Sequence, residues 1–99
     1  MSEKRKRELK IGDKRCFMTG AFHYVGEIAD LTATEVWLDK CSFIDELGPL
    51  DLARAGTPGE KFNSEFIGDD FELKRFAYLD SFPWDGPLPL KNIKGRSSS

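Results

Sequence analysis

The stretch "MTGAFHYVGEIADLTATEVWLDKCSFID", residues Met18 to Asp45, is dense in β-branched and aromatic side chains, and it carries two glycines and the chain's one histidine. Such residues suit the pleated, half-buried surface of a sheet. Thr19-Gly20 predicts a reversal between a short strand, Cys16 to Met18, and a long one, Ala21 to Leu31. A polar connection over Leu31 to Thr34 then precedes a third strand, Glu35 to Ile44. In the long strand Phe22, Tyr24, Gly26 and Ile28 share one face, with Ala21, His23, Val25, Ala29 and Leu31 opposite. Both faces are therefore partly apolar. A lone sheet usually keeps one wet face, so this pattern points to a strongly bent, closed barrel or to a subunit interface. Gly26, in mid-strand, stands where such a bend needs a missing side chain.

Working outward, Glu3 to Lys10 can form a short helix with no apolar stripe, and "IGDK" reads as a turn. Beyond the third strand, Asp45 to Glu60 is broken by Gly48-Pro49, Gly56 and Pro58-Gly59 and reads as a loop with room for one helical turn, Leu50 to Ala55. Phe62 to Phe66 alternates as a short edge strand would, and Gly68-Asp69-Asp70 is a turn. Leu73 to Phe82 is the fourth strand candidate, although its spacing also suits a helix. "FPWDGPLP" turns at Asp85-Gly86, and "LPLKNI", Leu88 to Ile93, returns as a last strand, confined to an edge by Pro87 and Pro89. The domain expected is a barrel over 11–94 with an insertion at about 45–72, a basic arm at 1–10 and a tail at 95–99.

The formal charge of −2 conceals a segregation. Residues 1–15 carry +4, residues 16–90 carry −9 from five bases and fourteen acids, and residues 91–99 carry +3. The arm, with Lys4, Arg5, Lys6 and Arg7, can attract a polyanion at long range; a solubilising leader would have the same composition. No apolar run approaches a membrane span, and the expected setting is cytoplasmic, a host's cytoplasm if the source is viral. Cys16 and Cys41, with only His23 to join them, make too small a ligand set for zinc and read as reduced core thiols.

Catalysis finds no footing in the chain. His23 has aromatic strand neighbours and reads as a packed or stacking residue rather than a base, and Asp69-Asp70 reads as a solvated turn. There is no phosphate-cradling glycine loop and no nucleophile elbow, so no enzyme, metal or cofactor is expected.

The block "CFMTGAFHYVGEIADLTATEVWLD" resembles the first motif of the Sm-like (LSm) family, which includes bacterial Hfq. Gly20 and Gly26 match its two glycines, Ile28 its aliphatic residue, Asp30 to Glu35 its acidic connection and Val36-Trp37-Leu38 its third strand. "LPLKNI" offers Leu88, Leu90, Lys91, Asn92 and Ile93 for the second motif, with Asn92 where glycine is usual. The "HYVGEI…VWLD" block is similar to divergent Sm-like proteins of phages and marine viral sequence.

The resemblance implies a five-stranded, strongly bent antiparallel barrel whose subunits join strand four to strand five in a homo-oligomeric ring of five to seven. It also implies single-stranded RNA as ligand. The family's RNA-contacting positions fall near Thr32 and Thr34-Glu35, where the usual uridine pocket is not intact. From the residues, His23 and Tyr24 would supply stacking and Lys91 and Asn92 a cation and an amide, provided that they converge. The alternative is a structural or adaptor ring, a phage or virion component, with exposed Trp84 and the 45–72 excursion as protein contacts.

Overall fold

The computed structural model describes residues 9–20, 22–46 and 62–93. The arm residues Lys4, Arg5, Lys6 and Arg7, the helical turn expected at Leu50 to Ala55 and the tail at 95–99 lie outside the described residues.

The protein is all-β, as its composition of strand-forming residues predicts. Among the described residues six strands, β1 (Lys14–Met18), β2 (His23–Leu31), β3 (Glu35–Glu46), β4 (Asn63–Gly68), β5 (Phe71–Lys74) and β6 (Asp80–Pro83), form one antiparallel sheet, with a 3-10 turn at Arg75–Ala77. The order is β4-β3-β2-β1-β6, and β5 also pairs with β3. The strands β4 and β5 lie end to end along one side of β3, against Cys41–Glu46 and Glu35–Leu38. Together they act as one strand kinked between Gly68, at φ 118°, and Asp70, at φ 59°. Two carboxylates hold the kink. Asp69 Oδ1 accepts from the Lys40 amide at 2.9 Å, and Asp39 Oδ1 from the Asp70 amide at 3.2 Å.

A β-bulge stands opposite Gly26, where the bend was expected. Val25 pairs with Ser42 and Glu27 with Asp39, so Lys40 and Cys41 bulge out opposite the single residue Gly26. Lys40 takes a left-handed φ of 51°, as a bulge of this kind requires. A second irregularity follows between Ile28 and Asp30.

Both faces of the sheet are covered by apolar side chains, which the alternation along β2 anticipated. One cluster gathers Cys16, Val25, Ile44, Phe62 and Trp84, flanked by Phe82, Leu88 and Ile93. The other gathers Phe17, Ile28, Val36, Leu38, Cys41 and Leu73, flanked by Leu9, Tyr24, Leu31, Phe71 and Tyr78. The adjacent residues Cys16 and Phe17 enter opposite clusters, as period-2 geometry demands.

Three expectations are corrected. The sheet is not closed into a barrel: the β4–β5 line forms one boundary and β6 the other. The fourth strand expected over Leu73 to Phe82 is interrupted, because the Arg75 amide turns to the Thr34 carbonyl at 2.8 Å and the 3-10 turn redirects the chain to β1. "LPLKNI" is no strand. With Pro87 and Pro89 lacking amide donors, that segment lays Leu88 and Ile93 on the first cluster and meets β4 through the isolated Ser64–Ile93 bridge and the Asn92 side chain rather than through a ladder. The edge strand expected over Phe62 to Phe66 is present as β4, and β3 runs on to Glu46.

Candidate functional site

The two ends of β2 carry different chemistry. At the turn end the β2–β3 loop is built on Glu35. Its amide donates to Thr32 Oγ1 at 2.8 Å, and its carboxylate accepts from Thr32 Oγ1 at 2.7 Å and Thr34 Oγ1 at 2.8 Å. Lys74 Nζ closes on Glu35 at 3.0 Å and on Glu72 at 2.8 Å. Hydrogen bonds from Thr32, Lys74 and Thr34 hold the Glu35 carboxyl down at about 2, well below its ordinary value. The neighbouring Arg75 is half-buried, and its Nε has no hydrogen-bond partner. Register therefore brings a basic pair, Lys74-Arg75, to the loop of Thr32 and Thr34-Glu35. Sequence reasoning missed this pair. It had assigned the basic position to Lys91, and only the pairing of β5 with the first residues of β3 reveals the alternative.

At the other end an aromatic ladder crosses the sheet. Phe22 and Phe43 have ring centroids 4.9 Å apart, Phe43 and Tyr24 5.6 Å, and Tyr24 and Phe71 4.8 Å in a stacked arrangement. The register makes it: Tyr24 pairs directly with Phe43, so their rings share a face. Gly26, next on that face, has no side chain to separate Tyr24 from Phe71. Phe22 is 41% exposed, and the other three rings are half-buried. Beyond Phe43 the ladder opens into a cavity of about 490 Å³ bounded by Asp45, Asn63, Ser64, Glu65, Asn92 and Ile93.

The convergence required of His23, Tyr24, Lys91 and Asn92 does not occur. His23 and Tyr24 are consecutive on β2 and project from opposite faces. His23 is half-buried with Nδ1 unpartnered, and burial pushes its pKa down, which favours the neutral ring. Asn92 is structural: its Oδ1 accepts from the Phe66 amide at 2.8 Å. Lys91 lines a separate apolar cavity of about 330 Å³ with Phe62, Trp84 and Leu88. Trp84 is not the exposed anchor expected: it is 3% exposed and its indole donates to the Pro87 carbonyl at 3.1 Å. Gly20 has open space around it, and the turn there is held by Thr19, whose Oγ1 donates to the Phe22 carbonyl at 2.7 Å.

Cys16 and Cys41 are free and buried, on strands separated by β2. Among the described residues no group of three or more His, Cys, Asp or Glu side chains is placed to hold a metal ion, and no helix is long and apolar enough to cross a membrane. Comparison with protein-family models, with curated proteins and with solved structures finds no match to this chain.

Proposed function

We propose that the protein is a divergent Sm-like subunit that assembles edge to edge into a homo-oligomeric ring and binds single-stranded RNA at the β2–β3 loop. The observation that carries the reading is the meeting of Thr34 with Arg75, 2.8 Å between carbonyl and amide. It supplies a basic pair beside the loop where the resemblance implies RNA contacts. Arg75 is half-buried beside that loop, and a guanidinium suits a base edge or a phosphate. The connectivity supports assembly. First and last strands are neighbours, and the sheet's two boundaries, β6 and the β4–β5 line beyond Phe66, where Ile93 and Asn92 no longer cap it, are where strands of adjoining subunits would pair. Exposed apolar side chains flank both: Phe66 and Ile67 on β4, and Phe76 (85% exposed) and Leu79 (79%) before β6.

The test is light scattering with and without a uridine- or adenine-rich oligoribonucleotide, on the full chain and on Lys74→Ala/Arg75→Ala. The reading expects a ring of five to seven subunits that gains mass with RNA, and a variant ring that does not. A monomer would defeat the assembly, and a ring indifferent to RNA would favour the structural or adaptor role. One observation favours that second role. Lys14 is bound to the Gly86 carbonyl, Arg15 to Ser81, Lys40 to Glu27 and Lys74 to Glu35 and Glu72, so most described cations are already committed within the sheet.

A further inference from the structure

We propose that the outer end of the aromatic ladder is a docking site for an arginine side chain on a basic segment of a partner protein. The site is at the opposite end of β2 from the loop assigned to RNA and does not depend on that assignment.

Its parts are set by register. Glu65 pairs with Phe43 across β3 and β4, so its carboxylate stands on the same face as the Phe43 ring. Asp45, unpaired in the bulge between Ile44 and Glu46, lines with Glu65 the cavity of about 490 Å³ that Phe43 also borders. Asn92 completes the wall, its Oδ1 occupied by the Phe66 amide. A ring face bordered by two carboxylates is a receptor for a guanidinium, which is planar, stacks on aromatic surfaces and donates in a fork that fits a carboxylate. A lysine ammonium can use the charge but not the stacking. Phe22, 41% exposed and 4.9 Å from Phe43, extends the surface for a second side chain of the same segment.

Charge decides between a basic peptide and a nucleic acid here. Residues 16–90 carry fourteen acids against five bases. That field draws in a cation and repels phosphate from a pocket whose own charged walls are acidic. Lys40 does not offset it, being 3.7 Å from Glu27. Lys91, adjacent in sequence to Asn92, lines the other cavity.

The test is fluorescence anisotropy of a labelled dodecapeptide of alternating arginine and glycine, titrated with the full chain at low salt. Two control peptides replace arginine by lysine or by citrulline, which keeps the shape without the charge. The arginine peptide is expected to bind about tenfold or more tighter than the citrulline peptide, and measurably tighter than the lysine peptide. Glu65→Gln/Asp45→Asn is expected to lose about tenfold, and Phe43→Leu a comparable factor, while Asp30→Asn, an exposed acid at the loop end, changes little. Both carboxylates are exposed, so the charge variant retains its fold even if Phe43→Leu does not. Equal binding of arginine and citrulline peptides would overturn the proposal, as would equal losses from Asp30→Asn and the pocket variant. So would loss of oligoribonucleotide rather than peptide binding in the pocket variant. Scattering mass measured in parallel separates this outcome from that of the ring: peptide binding by a monomer would uphold the site without the assembly.

Discussion

Gly26 lies against the backbone of Asp39, so that a Cβ placed on the glycine would stand 3.0 Å from the Asp39 carbonyl oxygen, with Leu38 Cβ at 3.2 Å and Cys41 Cα at 3.3 Å. The nearest atom is backbone at the bulge that bends the sheet and cannot step aside. Gly26→Ala is therefore expected to cost about 1–3 kcal/mol through overpacking. Gly26→Val should prevent folding, visible as loss of the β-sheet circular dichroism signal. A valine variant with a normal spectrum and an unchanged urea midpoint would show that the bulge relaxes freely.

Much of this arrangement is legible in the amino-acid sequence. The alternation of Tyr24 and Val25 announced a sheet apolar on both faces, and the mid-strand glycine announced the bend. Two kinds of information were not local. The strand pairing of Phe71–Lys74 with Glu35–Leu38 depends on a kink at Gly68 and Asp70 whose backbone signs a composition reading does not fix. The fate of Leu88 to Ile93 depends on Arg15 and Ser81 having already claimed the place beside β1 for β6. Hence Tyr24 could be named from the sequence as a stacking residue, whereas Phe71 beside it could not, and the ligand partners expected at Lys91 and Asn92 are, in the site proposed above, Asp45 and Glu65.

That claim by β6 rests on a buried cation. The Arg15 guanidinium, 6% exposed, donates from Nη2 to Ser81 Oγ at 3.0 Å and to the Ser81 carbonyl at 3.2 Å, and from Nε to Ser81 Oγ at 3.1 Å. Burial lowers its pKa, the charge being costly in that position. Ser81→Ala leaves the charge with fewer acceptors and should destabilise by about 1.5–3 kcal/mol. Arg15→Met removes donor and charge together, so the double variant should be less destabilised than the two single costs combined. Strict additivity in urea titrations would mean that the pair is not coupled.

Acid should act on the β2–β3 loop. The Glu35 carboxyl is held at about 2 by Thr32, Lys74 and Thr34, against an ordinary value of 4.5. The unfolded chain therefore takes up its proton first, and the interaction favours the folded state fully above the ordinary value and is lost as pH falls towards 2. Carboxyl shifts followed by nuclear magnetic resonance should find Glu35 still ionised near pH 3.5. Glu35→Gln should flatten the acid limb of stability between those values. Because the group is only partly buried and still meets solvent, the effect should be small and should shrink further in high salt.

The two thiols should be silent in the native protein. Burial pushes both Cys16 and Cys41 up to about 12, so almost no thiolate is present at neutral pH, and no solvent path reaches the sulfurs. A chromogenic disulfide reagent at pH 8 is expected to label neither cysteine in native protein and both in urea. Rapid labelling without denaturant would show that the sheet opens locally far more often than its packing implies.

The last prediction concerns the two boundaries of the sheet. If β4–β5 of one subunit pairs with β6 of the next, the contact is head to tail, and each subunit contributes two different surfaces to it. A charge on either surface should block the contact from that side, because an edge bearing an unmatched lysine or glutamate resists strand addition. Ile67→Lys and Leu79→Glu, both at exposed positions, should each shift the scattering mass to that of a monomer without altering the β-sheet spectrum. The double variant Ile67→Lys/Leu79→Glu places opposite charges on the two surfaces that meet, so it should reassociate at low salt and dissociate as salt screens the pair. A symmetric contact gives another pattern, since identical surfaces would then face each other and the double variant would remain a monomer at every salt concentration.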